Sequence, residues 1–162
     1  MKATFYTHFT FILFLVFAGN ITLAQVSAKP AIKPIEKYRP PVVQSYLGNI
    51  TGKSAATGIE EAKNIISLPL KIVDDKKNNY TVVSYQFAYK RIGITEDEET
   101  GKTSPQSDMV SNQFTSSPLP SIWQTNITEG LHRGESLYFF DIIALDKQGR
   151  RFFAPELKIT VE

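Results

Sequence analysis

His132 is the one histidine after residue 24, and it stands beside Arg133 at what reads as a helix end. A histidine base needs a nucleophile and an orienting group within hydrogen-bond reach. No Ser-His-Asp set can be assembled around His132 by any spacing rule, and it reads as a surface residue. The chain has no cysteine, which excludes thiol catalysis, Cys-ligated zinc and a disulfide framework. Asp141 interrupts the apolar run Leu137–Leu145. Acid–base work would require a second carboxylate that the sequence does not place, so Asp141 is expected to pair with Arg150 or Arg151 across a hairpin, or to face solvent. The acids Glu96 to Glu99 are consecutive and lie among polar neighbours. A general acid and a general base need different environments, so these four read as a solvated hairpin tip. Asp74–Asn79 lacks the ligand spacing and closing Glu of a calcium loop. There is no phosphate-cradling glycine loop, no dinucleotide fingerprint and no histidine cluster for a metal. Asn20, Asn49, Asn79 and Asn126 each open an Asn-x-Thr tripeptide, which matters only in a host that glycosylates exported chains. The residues therefore predict no catalytic, cofactor-binding or metal-binding site, and no enzyme.

Recognition chemistry is the alternative. Val83, Tyr85, Phe87 and Tyr89 alternate with Ser84, Gln86, Ala88 and Lys90, an aromatic stripe suited to stacking on sugars or bases, or to filling a core. We read it as core. Trp123, the sole tryptophan, is either a plug against a sheet or an exposed anchor for a partner. With 18 basic and 16 acidic residues in 162, the net charge of +2 makes no case for nucleic acid.

These groups must be positioned by one ordinary domain, the most this length supports. Lys2, the apolar stretch Phe9–Gly19 and the small residues Thr22 and Ala24 make up the three parts of a cleavable signal peptide over residues 1–24. The apolar run is short for a membrane span, although a retained anchor is the competing reading. Residues 25–41 form a basic, Pro-rich tether carrying Pro30, Pro34, Pro40 and Pro41. It is a solvated spacer, or else an arm that touches an anionic surface. The domain then spans 42–162. Val42–Leu47 is a first strand, and the glycines of Gly48–Gly52 mark a bulge or a close backbone approach. Ile66–Val73 is a strand that Pro69 assigns to an edge, Tyr80–Arg91 is the second strong strand, and Met109–Phe114 is a short one. Ser121–Leu131 is the one convincing helix, with Ser121 as N-cap and Ile122, Trp123, Ile127 and Leu131 on roughly one face; Ile59–Lys63 adds one helical turn. In Leu137–Leu145 both faces are apolar, Leu137, Phe139, Ile143 and Leu145 against Tyr138, Phe140, Ile142 and Ala144, so it reads as an inner strand covered on both sides. A turn at Gly149 leads back through Arg151–Phe153 to Leu157–Val161, whose period-2 alternation marks a half-buried strand.

Taken in order from Gly48 to Val161, these stretches resemble the C-terminal domain of GldM, a periplasmic component of gliding motility and type IX secretion. The similarity is carried by Gly48–Lys53, Tyr80–Phe87, Ile127–Leu131 with Gly134-Glu135, Ile142-Ile143, Gly149, Pro155 and the closing Leu-x-Ile-x-Val run. This chain departs from the family at Asp146-Lys-Gln-Gly149, where the family tends to have Pro-Asp-Gly, and it lacks GldM's transmembrane helix and stacked domains. The resemblance implies a mostly-β, sandwich-like (Ig-like) exported domain with one short helix, in the periplasm or on the cell surface. It would bind an envelope or secretion-machinery protein and have no cofactor, no nucleic acid partner and no stable membrane insertion. The expected contact surface is a sheet edge, also open to self-association, or the Trp123 helix face, with Trp123, Arg150, Arg151, Leu157 and Ile159 as the partner-binding residues. The alternative function is carbohydrate binding through Tyr80, Tyr89 or Trp123.

Overall fold

The computed structural model describes residues 37–162; the predicted signal segment and most of the tether lie outside them. The compact unit runs from Tyr38 to Glu162. In chain order it comprises β1 (Val43–Leu47), β2 (Ile50–Thr51), β3 (Ala55–Thr57), α1 (Ile59–Ile65), β4 (Leu70–Asp74), β5 (Asn79–Glu96), β6 (Thr103–Phe114), α2 (Ser121–Gly130), β7 (Ser136–Leu145), β8 (Arg151–Phe153) and β9 (Leu157–Val161). The mostly-β expectation holds. The strands make one sheet in the order β2-β1-β4-β5-β7-β9-β3, with β6 added on β5 and β8 on β7. It bends into a nearly closed barrel-like or sandwich shape. Across the gap the Ser45 hydroxyl of β1 donates to the Pro155 carbonyl between β8 and β9.

β5 organises the sheet. Asn79 and Tyr80 pair with β4, Thr81–Lys90 with β7, and Tyr85–Glu96 with β6. Tyr85, Phe87 and Tyr89 are buried, so this part of the aromatic stripe is core. Phe87 lies 4.8 Å from Phe139 of β7 between ring centroids, and Phe114 of β6 and Trp123 of α2 close over the same cluster at edge-to-face angles. Such pairs add about 0.5–1.5 kcal/mol each to the area they bury.

The alternation expected in β7 breaks at Asp141. Its buried apolar residues are Leu137, Phe139, Ile142 and Ala144, so Ile142 and Ala144 exchange places with Ile143 and Leu145. The register shows why. Between the pairs Gln86↔Phe140 and Ser84↔Ile143, β7 carries one residue more than β5, a bulge at which Asp141 takes φ +47°. One residue further along, β5 carries the extra residue at Val83, and the pairing recovers. Because side chains alternate with period 2, one inserted residue moves every later side chain to the other face. Asp141 is exposed, and Arg150 pairs instead with Asp146, Nε to Oδ2 at 2.7 Å.

Other differences are local. Among the described residues there are two helices, not one. In α1, Ala62 and Ile65 are buried on one side, while Glu60 and Glu61 occupy the first turn, where the helix dipole favours acids. Ser121 is not the cap of α2: the Pro120 carbonyl accepts from Trp123 N at 2.9 Å, and no side chain caps the helix. Ile122 is 62 % exposed and leaves the buried face to Ile127, with Trp123 partly buried. β4 is an inner strand between β1 and β5, because Pro69 stands just before its first residue and withholds no ladder donor. Gly48 does not continue β1. It opens a two-residue reversal into β2 with φ +62°, and a Cβ there would lie 3.0 Å from Ile65 Cγ2.

Candidate functional site

β5 and β6 run well past the body of the sheet. β7 begins at Ser136 opposite Lys90, so from Arg91 to Asp108 the two strands form a hairpin arm whose residues are all exposed. On it Ile92 is 42 % and Ile94 77 % exposed, and Met109 at its base 64 %. Arg91 and Asp108 pair across it at 3.0 Å. At the tip Asp97 is spent on the turn, accepting from the amides of Glu99 and Thr100, whereas Glu96, Glu98 and Glu99 form no ion pair with another described residue.

Glu135 fastens the arm to the body. It is the one charged residue among the buried described residues, 2 % exposed, and its carboxylate accepts three hydrogen bonds. Oε2 accepts from the Tyr89 hydroxyl and from His132 N at 2.9 Å; Oε1 accepts from Ile92 N at 3.3 Å. A buried carboxylate is tolerated only with such donors. Burial, and then the hydrogen bond and charge of Glu135, hold the Tyr89 hydroxyl far above its ordinary pKa. Gly134 beside it, at φ +85°, leaves room for Ile92, whose Cδ1 would lie 2.9 Å from a Cβ. A groove of about 510 Å³ opens between the arm, the end of α2 and His132. His132 Nδ1 lies 3.9 Å from Glu135 Oε1 with its imidazole largely exposed. With these three donors on its oxygens, Glu135 works as a clasp between the arm and the loop before β7.

The second feature is the outward face of the sheet. Tyr138, Phe140, Ile143 and Leu145 of β7 lie on it, only partly buried, and Phe153 of β8 beside Ile143 is 74 % exposed. None of the five belongs to the core cluster, which takes the buried residues of both helices. β7 is thus an inner strand by its pairing, buried on one face and partly open on the other. Around the apolar strip stand Lys90, Lys158 and Arg151, exposed and without an ion pair to a described residue. Tyr138 is stacked on Phe140 at 4.7 Å and donates to Glu156, a hydrogen bond that with partial burial pushes its hydroxyl up to about 12.

The expected partner-binding residues do not share a surface. Trp123 packs edge-on against Phe87 and Phe114, half-buried in the core. Leu157 and Ile159 are fully buried, and β9 is no edge, being paired with β7 on one side and β3 on the other. Their alternation marked the buried side of a strand, and burial withholds those side chains from a partner. Arg150 is held by Asp146 and lies 4.1 Å over the Tyr38 ring. Arg151 alone stands free on the outward face. The aromatics expected to take a sugar are also occupied. Tyr89 is buried, and Tyr80 is packed edge-on against Phe152 with its hydroxyl on Asp74. What reasoning from sequence missed was the outward face and the length of the arm; the signal for the face was the apolar character of both sides of β7.

Two of the turns each carry an acid-sensitive carboxylate. Asp74 accepts from the Asn78 side chain and amide, each at 2.8 Å, from Tyr80 and from Lys76 N, which hold its carboxyl below the usual range. Burial pushes the Asp146 carboxyl up, but bonds from the Arg150 amide and guanidinium and the Gln148 amide outweigh it and leave it low. Both folded values lie below the unfolded one near ~3.9, so the stability they contribute is complete above that pH and is lost as pH falls through the folded values. The thermal midpoint is expected to fall below about pH 4, and less steeply in Asp146→Asn; identical slopes would count against this account.

The fold and these surfaces define a class: a mostly-β domain with a closed aromatic core, a projecting hairpin and an apolar outward sheet face. Among the described residues no helix is long and apolar enough to cross a membrane. No family model matches the chain, and no curated protein matches it.

Proposed function

We propose that this domain is a non-enzymatic module of the bacterial envelope, exported and held by its N-terminal tether, that binds another protein in secretion, gliding or envelope assembly. The observation that carries the reading is the outward face of β7, where Tyr138, Phe140, Ile143 and Leu145 stand outside the core beside the exposed Phe153. Apolar side chains left partly open to solvent around an exposed aromatic, with charged residues beside them, fit an interaction site. The resemblance to the GldM C-terminal domain supports the process and the relationship. The clasped Glu135, with His132 as the one histidine among the described residues, gives the non-enzymatic reading its chemical support.

The test is crosslinking of the full chain in its own envelope, followed by affinity capture and mass spectrometry. Recovery of secretion-machinery or outer-membrane proteins, lost on Phe153→Glu and retained on Ile122→Glu at an exposed site on α2, is the expected result. Recovery that survives Phe153→Glu, or saturable binding of wall glycans with no protein captured, would overturn the reading.

A further inference from the structure

β6 is an edge strand with an open backbone. Its register against β5 runs unbroken from Phe114 to Thr103, and among the described residues no strand pairs with its other side. The hydrogen bonds show which groups stay open. Ile92 donates its amide to Glu135, beside the start of β7, and so faces away from β6. Its neighbours Arg91 and Gly93 therefore face β6, opposite Asp108 and Gln106. By the same alternation Ser107, Met109 and Ser111 turn N–H and C=O outward. Gln113, of the same parity, donates its amide to the Asn112 side chain at 2.8 Å, as a donor without a strand partner does. Natural edges are blunted by proline, lysine, bulges or shortness. Pro105 blunts the distal end, but from Gln106 to Phe114 there is no proline, no lysine and no bulge. Beside this edge, between α2 and the β5–β6 pair, lies a well of about 230 Å³. Tyr89, Trp123 and Ile127 line it, and Val110 is the wall that β6 contributes.

We propose that the β6 edge takes an extended segment of a partner protein by strand addition, antiparallel to β6, with one large apolar side chain seated in the well. Outward amides and carbonyls at every second residue match extended backbone, which supplies main-chain partners at the same spacing. Residues opposite one another in neighbouring strands share a face, so the added residue opposite Val110 points to the side of the well. At the tip, Glu96, Glu98 and Glu99 have no ion-pair partner among the described residues. They complement basic residues at the end of the segment that reaches the tip. A second copy of β6 matches less well, because on the face of Val110 it brings Gln106, Asp108 and Asn112 and no large apolar side chain. The proposal rests on the protein-binding reading above; it adds a second contact surface and gives the conformation and chemistry of the bound segment.

Trp123 is the sole tryptophan of the chain, so its emission reports on the well. The probe is the peptide acetyl-Thr-Thr-Leu-Thr-Thr-Thr-Lys-Thr-Lys-amide, titrated into the full chain. The expected result is a saturable shift of the emission, together with slowed exchange of the Ser107, Met109 and Ser111 amides. Exchange at Asp108 and Val110, which face β5, should not change. Serine in place of the leucine should weaken binding by about tenfold or more. Met109→Pro removes one outward donor at an exposed position and takes nothing from the β5 ladder, so the fold stands and affinity should fall about tenfold. A shift without protection of the three amides, equal binding of the serine peptide, or no saturable shift would overturn strand addition. Protection of those amides in the free chain that disappears on dilution would place a second β6 on the edge and overturn it too. Failure of the peptide while envelope capture is still lost on Phe153→Glu would leave the protein-binding reading standing; loss of capture from the unaltered chain would overturn that reading.

Discussion

Phe139→Ala is expected to cost about 3–5 kcal/mol, the loss that follows truncation of a large aromatic in a packed core. Phe139 is 1 % exposed, with ring centroids 4.8 Å from Phe87 and 5.7 Å from Tyr85. Set against the total of roughly 5–15 kcal/mol typical of a domain, this loss leaves the folded state marginal. Urea unfolding of the variant should show a much lower midpoint with a similar slope. The adjacent Phe140→Ala, on the outward face, should cost under about 1 kcal/mol, because that side chain contributes to no core layer. The pair Ile142 and Ile143 sharpens the comparison. Uninterrupted alternation would group Ile143 with Phe139, whereas the bulge at Asp141 puts Ile142 in the core, 0 % exposed. Ile142→Ala should therefore be the damaging change, by about 2–5 kcal/mol. Equal losses at 142 and 143 would contradict the bulged register.

Glu135→Ala has the second large effect, and a different signature. Removing the carboxylate leaves the amides of Ile92 and His132 without their acceptor and the Tyr89 hydroxyl with the Gly130 carbonyl alone, at 3.3 Å. An orphaned buried donor costs about 1–3 kcal/mol. Some of the three will find water once the clasp opens, so the net loss should be roughly 2–4 kcal/mol. The distinguishing readout is local. Amide exchange at Ile92 should accelerate far more than exchange at Phe87 or Leu137, because the clasp joins the base of the arm to the loop before β7. Glu135→Gln keeps the shape and one oxygen acceptor, and should fall between wild type and alanine. Uniform acceleration across the sheet would mean that Glu135 supports the whole core and not the arm.

Much of the framework was legible in the sequence because it is local. Leu157, Ile159 and Val161 alternate with polar residues, and β9 buries those three. The turn at Gly149 forms with φ +77°, as a glycine there allows. The aromatic stripe of β5 becomes core from Tyr85 to Tyr89, and α2 occupies Ser121–Gly130. Period, turn chemistry and glycine placement act over a few residues, and short-range sterics decide them without reference to distant parts of the chain.

The rest depended on which strand lies beside which. Nothing local to Asp141 announces a bulge, since a bulge is a mismatch between two strands, and its partner in β5 is more than fifty residues away in the chain. The same holds for β4, which became an inner strand, and for β9, whose second neighbour is the parallel β3. Leu157 and Ile159 could be assigned to a strand from their pattern, but only the sheet order shows that both edges of that strand are taken. Glu135 read as part of a Gly-acid pair until the fold brought Tyr89 and Ile92 to its oxygens. The sequence by itself determined the mostly-β class, the main strands and the larger helix, because periodicity and turn residues suffice for those. The tertiary structure alone decided which face of β7 is core, which strands are edges and which apolar side chains remain outside. Those properties belong to pairs of segments brought together by folding, and a single stretch of chain does not carry them.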